Sequence, residues 1–412
     1  MLESLKARLL RQPSVRQFWA RRRGRHQEQR YLGWSEKFGR MAEERGLVYT
    51  QRGATDAIRS HMAGRDITRK RIGQFNSAVA TRTDNWGISV VQEMSEVGSA
   101  HVFDWWQRGY RDDPRRVPEM NQEFFQWLKE THAREPLDWA LIMTNGSYIL
   151  KSTLRRIREE LGIPTVHQWL DCKQTFIGGM GPHGQDVGQI DVAPEFDVVW
   201  TSSRATCEWY MAIGARPLFL PEGFSPRQTP KLERPKVADV GFLGASYGLR
   251  PDYIEALRKA GLSVLVAGHG WQDGRVIGLE EMGEFFASSK LNLGIGGVGY
   301  SMKLTTLKGR DFEVPGAGGA YLTTFNADLA QFFDIGREIA CYQSMEEMVE
   351  VARRLVRDDQ ARLAMAERGY ARALREHRWM HRFLDVLRAL GAYDEAVIRE
   401  SEAGSSAANA NR

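Results

Sequence analysis

The stretch VADVGFLGASYGLRPDYIEALRKAGLSVLVA, residues 237–267, decides the fold class. Val237 to Leu243 is a short apolar run containing β-branched and aromatic side chains, which predicts a buried strand. Gly244-Ala245-Ser246-Tyr247-Gly248 interrupts it, and residues 250–260 then carry helical spacing, with Pro251 in the first turn, where a missing N–H is harmless. Leu262 to Ala267 reads as the next strand. Strand, glycine loop, helix and strand in that order are the unit from which parallel sheets are wound. Moving outward, Lys290–Gly294 and Ala320–Thr323 extend the same rhythm toward the C-terminus. Toward the N-terminus, Ala100–Phe103, Trp139–Met143, Thr165–Leu170 and Val198–Thr201 alternate with helical stretches such as 148–160.

Between the two rhythms, Pro221, Pro226, Pro230 and Pro235 fall among charged residues and predict an exposed connection. The expected fold class is therefore α/β, with two doubly wound Rossmann-like domains facing across a cleft and a helical N-terminal extension. The expected boundaries are 1–71 for the basic extension, 72–225 for the first domain and 236–375 for the second. Residues 400–412 are mostly small and polar and predict a disordered tail.

The 412 residues include no apolar run near the roughly 20 residues that a membrane-spanning helix needs, and the N-terminus has no cleavage pattern, so a soluble cytoplasmic protein is expected. Cys172, Cys207 and Cys341 are far apart and suggest neither a disulfide framework nor a zinc site. Charge is distributed unevenly. Residues 1–75 hold 18 Lys/Arg against 7 Asp/Glu, while the rest of the chain is net acidic. This leader reads as a solvated helical face, as a contact to an anionic membrane surface through residues 1–45 on the inner face of the plasma membrane, or as a contact to another polyanion; Phe18 and Trp19 beside Arg21, Arg22 and Arg23 favour lipid, and no nucleic-acid partner is expected.

Three loops could carry chemistry. Gly244, Ser246 and Arg250 would form a phosphate cradle from N–H groups, helix dipole and cation, or else a plain tight turn. Gly294 to Gly299 matches G-x-G-x-x-G, but it lies within a domain rather than at its first strand, and no acidic strand end follows at the spacing a dinucleotide needs. Lys303, Lys308, Arg310 and Glu313 precede Pro315-Gly316-Ala317-Gly318-Gly319-Ala320-Tyr321. On a helix, Arg310 and Glu313 share a face, so a cation for a pyrophosphate and a carboxylate for ribose hydroxyls would project together, with Gly318 and Gly319 admitting the ligand closely. The other account is a surface ion pair ahead of a helix stop. On the acceptor side, His167, Asp171 and His183 are the polar candidates, and Asp171 or His183 could act as a general base. Asp171 could equally cap a turn, and His183 could be a flexible surface residue. His377 and His381 have a metal-compatible spacing but no accompanying third ligand, so no metal and no cofactor are expected.

The segment Arg310 to Thr323 resembles the R-x-F-E-x-x-A-x-G-G signature of the spore-maturation, CgeB-like group of GT-B glycosyltransferases. Asp328-Leu329 to Phe332-Phe333, Gly336-Arg337-Glu338-Ile339, Gly369-Tyr370, Glu376 to Trp379, Gly241 to Gly244 and Phe196 to Thr201 are similar to that group as well. The resemblance implies a nucleotide-sugar donor, an acceptor that is a glycan, lipid or protein of the cell envelope, and a C-terminal helix at about 376–397 returning to the first domain. It implies a hexosyltransferase-type activity with Glu313 on the donor ribose; the cations Arg250, Lys303 and Arg310 would then stabilise negative charge on the departing diphosphate. Related enzymes carry a further glutamate where this chain has Thr305, which supports a non-catalytic scaffold as one alternative; a nucleotide-sugar epimerase on the same two-domain fold is the other.

Overall fold

The computed structural model describes residues 13–83, 87–111 and 113–394, so the expected tail at 400–412, the last residues of the expected returning helix and the first twelve residues of the leader lie outside the described residues. The chain divides into two compact units.

The N-terminal unit comprises Phe38–Thr201, Ala205–Leu220 and the chain from Trp379 onward. Its strands are β1 (Phe75–Thr81), β2 (Gly98–Asp104), β3 (Trp139–Ile142), β4 (Thr165–Gln168), β5 (Val198–Thr201) and β6 (Pro217–Phe219). They pair in the order β2-β1-β3-β4-β5-β6, and every pairing is parallel. The helix Trp379–Leu390 seals one face, burying Trp379, Phe383 and Leu387 with Trp139 and Trp200. An aromatic contact between Phe38 and Phe176, 4.9 Å between centroids, anchors the entry of the chain into this unit.

The C-terminal unit comprises the described residues up to Lys37, Ser202–Arg204 and Pro221–Arg378. Its strands are β7 (Ala238–Leu243), β8 (Val264–Ala267), β9 (Ser289–Leu293), β12 (Tyr321–Thr324) and β13 (Ala340–Tyr342), parallel in the order β13-β12-β9-β7-β8. The chain leaves β7 toward β8 and returns to β9 on the other side of β7. Strand order therefore reverses between β7 and β9, the position where open α/β sheets hold ligands at their carboxyl ends. Between β9 and β12, β10 (Gly297–Val298) and β11 (Ser301–Thr305) form an antiparallel hairpin. The G-x-G-x-x-G match is thus the turn into a hairpin rather than a strand-to-helix dinucleotide loop.

Two organisational expectations differ in detail. The basic leader is not one separate extension: the 32-residue helix Pro13–Glu44 contributes its residues up to Lys37 to the C-terminal unit and those from Phe38 to the N-terminal unit. The proline-rich connection is exposed mainly from Lys231 to Val237; apart from Arg227 its first half is buried or half-buried, with Phe224 fully buried against Gly316, where an added Cβ would come within 2.4 Å of its ring. Proline and charge predict exposure, and a single large apolar side chain overrides them.

Candidate active site

The loop after β7 is held from three sides. Gly244 donates its N–H to Ala267 O at 2.8 Å, Ser246 donates to His269 O at 2.7 Å, and the Trp271 indole donates to Gly244 O at 2.7 Å. The first two N–H groups point into the protein, which corrects their expected role as a phosphate cradle; β8 and the Gly268–Trp271 turn use them to shape the loop. The N–H groups of Ala245, Tyr247, Gly248 and Leu249 have no carbonyl partner among the described residues, and they lead into the helix Arg250–Lys259. Donors left at such a helix start, together with the helix dipole, favour an anion.

Arg250 is buried beneath this loop. It donates to Ala245 O at 3.1 Å and its guanidinium lies 4.2 Å from the Tyr247 ring centroid. Burial lowers its pKa to about 10, and the nearby Arg310 cation adds to the lowering. Arg250 closes no ion pair with a carboxylate among the described residues. A buried cation without a carboxylate partner is unfavourable unless an anion completes the site.

Arg310 opens the seven-residue helix Arg310–Gly316, which carries Glu313 one turn on. No ion pair closes between them, so the surface-pair account of this spacing does not describe the structure. Glu313 is partly accessible yet surrounded by protein, with its Oε1 3.1 Å from where a Cβ on Gly309 would stand. Burial pushes its carboxyl up to about 7, Arg310 opposes the rise and Asp311 adds to it. Asp311 was not singled out in the sequence, and it holds the helix in place. It is buried and accepts from Tyr321 Oη at 2.8 Å, Thr323 Oγ1 at 3.3 Å and Lys308 N at 2.7 Å, tying the helix start to β12. A carboxylate that receives a strand's hydroxyl has no signature in spacing. Lys303 is exposed on β11, and Thr305 ends that strand.

Gly318 and Gly319 serve the helix rather than a ligand. Gly318 is left-handed at φ +74°, and its N–H goes to Pro315 O while that of Gly319 goes to Val314 O, a Schellman stop with both donors committed. Added Cβ atoms would meet Lys231 at 2.8 Å and Asn292 at 2.8 Å. Close approach is indeed what these glycines permit, but the approaching groups are side chains of the protein.

In the N-terminal unit, His167 belongs to the core. It is fully buried, donates Nε2–H to Thr144 O at 2.7 Å and packs 4.7 Å from Phe196, and burial lowers its pKa to about 4. Asp171 is exposed, its carbonyl accepts from Gln174 and Thr175 N–H, and its side chain does not cap the short helix Cys172–Thr175. His183 donates Nε2–H to Pro114 O at 2.7 Å, so it is a held residue rather than a loose one, and Nδ1 is the nitrogen left for a proton. Its loop is built on Asp186, which accepts from Gly178, Gly179 and Gly188 N–H within 2.8 Å. His377 donates to Phe332 O and packs against Phe312 and Phe333. Among the described residues, no group of three or more His, Cys, Asp or Glu is placed to hold a metal ion.

With this geometry in view, residues 250–388 match a family model described as glycosyl transferase-like. This glycosyltransferase-like segment begins at Arg250 and includes Arg310 and Glu313. Among curated proteins, none matches the sequence. Among solved structures, sucrose-phosphate synthase from Thermosynechococcus elongatus is similar at a TM-score of 0.51 and 12% identity, over 77% of this chain and 100% of that one. HepE from Anabaena, in complex with UDP and glucose, is similar at 0.50 and 10% identity, over 77% and 100%. A putative UDP-N-acetylglucosamine 2-epimerase from Listeria monocytogenes, at 0.43 and 11% over 74% and 95%, is too distant to weigh. The two stronger likenesses show the fold: the paired parallel-sheet units are those of GT-B proteins.

Proposed function

We propose that this protein is a CgeB-like GT-B glycosyltransferase that moves a hexosyl group from a nucleoside-diphosphate sugar to an envelope acceptor, with the donor held by the C-terminal unit. The observation that carries the reading is Arg250, a buried cation at the helix start after β7, where strand order reverses, which has no carboxylate partner among the described residues and which the Arg310 cation further disfavours. A pyrophosphate supplies the missing charge. The N–H groups of Ala245 and Tyr247 to Leu249 add hydrogen-bond donors, Glu313 accepts from the ribose hydroxyls, and Lys303 lies on the hairpin that follows β9.

Cleavage of the bond between sugar and diphosphate leaves negative charge on the departing nucleotide, and Arg250 and Arg310 lower the barrier by being preorganised for it. In this reading a proton leaves the acceptor hydroxyl toward Asp171 or His183 Nδ1. That HepE is solved with UDP and glucose supports a uridine nucleotide as the first donor to try.

The experiment is incubation with a panel of UDP- and GDP-sugars without acceptor, followed by separation of products. Release of free sugar and nucleoside diphosphate is expected. An interconverted nucleotide sugar identifies an epimerase instead, and binding without turnover, with acceptors included, identifies a scaffold.

A further inference from the structure

The helix Pro13–Glu44, up to Lys37, has two unlike faces. One grips the C-terminal unit: Gln17 donates to Asp252 at 2.9 Å, Arg23 to Tyr300 Oη at 2.8 Å, and Gln27 and Glu28 accept from Tyr300 N and Ser301 Oγ at 2.7 Å. Gly24 permits this contact, since a Cβ there would stand 2.7 Å from Tyr300 O.

The opposite face looks outward. Phe18, Arg22, Arg25, Gln29 and Leu32 fall within about 80° of one another at the 100° per residue of an α-helix, and all are exposed. Phe18 and Leu32 are 57% and 62% exposed and stand about 21 Å apart at 1.5 Å per residue, with the arginines between them. Trp19, 44% exposed, flanks them with Arg22 lying 5.6 Å from its ring centroid. Residues 14–37 hold seven Lys/Arg against two Asp/Glu. Beside Trp19 a cavity of about 410 Å³ is bounded by Arg22, Arg23, His26, Gln27 and Tyr300.

We propose that this face docks the protein on an anionic phospholipid surface. Arginines at a negatively charged leaflet are attracted at roughly 1 kcal/mol each. Phe18, Trp19 and Leu32 enter the headgroup level, and the cavity offers guanidinium groups to one phosphate headgroup. The apolar side chains at both ends of the basic stripe select lipid over nucleic acid, since a phosphate backbone needs the arginines and has no use for Phe18 and Leu32. A helix clamped along its other face presents these groups at fixed spacing.

Vesicle flotation of the full chain tests this, comparing phosphatidylcholine alone with a phosphatidylcholine–phosphatidylglycerol mixture. The protein should float with the mixture and stay down with phosphatidylcholine. The triple variant Arg21→Glu, Arg22→Glu, Arg25→Glu should lose flotation, and Phe18→Ser with Leu32→Ser should lower the affinity about ten-fold at unchanged charge, roughly the loss of 1.4 kcal/mol. Absence of flotation with either vesicle overturns the proposal. So does a Phe18→Ser, Leu32→Ser variant that floats like the parent while a short DNA duplex competes the parent off. All these residues are exposed, so thermal melting and UDP binding should match the parent, and either outcome leaves the sugar-transfer reading standing on its own test.

Discussion

Arg310 and Glu313 project from the same helix one turn apart and do not pair with each other. Arg310 closes no ion pair among the described residues and adds to the lowering of the Arg250 pKa, and the Glu313 carboxyl is held up near 7 by burial. A helical surface pair of these residues would contribute about 0.3–0.5 kcal/mol and end its role there. Separated, the two can meet opposite ends of a nucleoside diphosphate.

Glu313→Gln should weaken UDP binding about ten-fold by calorimetry at pH 8. If Glu313 holds the donor ribose as proposed, affinity in the parent should fall as pH drops through about 7, because a protonated acid would no longer accept both hydroxyls, and the variant should lose that dependence. The stability effect has the opposite sign. A carboxyl whose folded pKa is raised from 4.5 to about 7 stabilises fully below 4.5 and loses that contribution as pH rises through 7, so Glu313→Gln should raise Tm at pH 8 and leave it little changed at pH 4.

Arg310→Gln should weaken UDP binding by about 1.5–3 kcal/mol, the range for hydrogen bonds to charged groups, which is roughly ten- to a hundred-fold. Binding by the variant should also be less sensitive to salt, since one cation of the site is gone. Isothermal titration at two ionic strengths reads both effects.

Gly318→Ala should lower stability by more than about 1 kcal/mol, since φ is +74° and Lys231 already fills the space of the new Cβ. UDP affinity of the folded fraction should stay at the parent value. A selective loss of affinity with unchanged melting would return this glycine to the ligand site.

His167 is neutral in the fold and titrates near 4 rather than 6.5, so its contribution is complete above 6.5 and is lost as pH falls through about 4. Over that window the change is about 3 kcal/mol at 1.36 kcal/mol per pH unit. His167→Gln keeps a donor for Thr144 O and removes the titration, so its melting temperature should decline less steeply than the parent's between pH 6.5 and 4.

The alternation of strand and helix was legible in the sequence because buried strands of a parallel sheet are short apolar runs and the punctuating glycines and prolines act locally. Val237 to Ala267 alone contains strand, loop, helix and strand, and β7 and β8 lie where that reading puts them. The helix, stop and strand of the Arg310 to Tyr321 segment were legible for the same reason, because they are written consecutively.

What the sequence could not assign was the use of each group within those elements. Gly318 and Gly319 look like ligand glycines until Lys231 and Asn292, distant in sequence, occupy the space over them. Gly244 and Ser246 look like cradle donors until β8 and the His269 turn take their N–H groups. Asp311 is silent in sequence and becomes an anchor only when Tyr321 and Thr323 come within hydrogen-bond reach. Periodicity determines which residues form an element and which face they share, because it depends on neighbours along the chain. Whether a donor is committed, a cation unpaired or a carboxyl desolvated depends on neighbours across the sheet, and only the tertiary structure decided those.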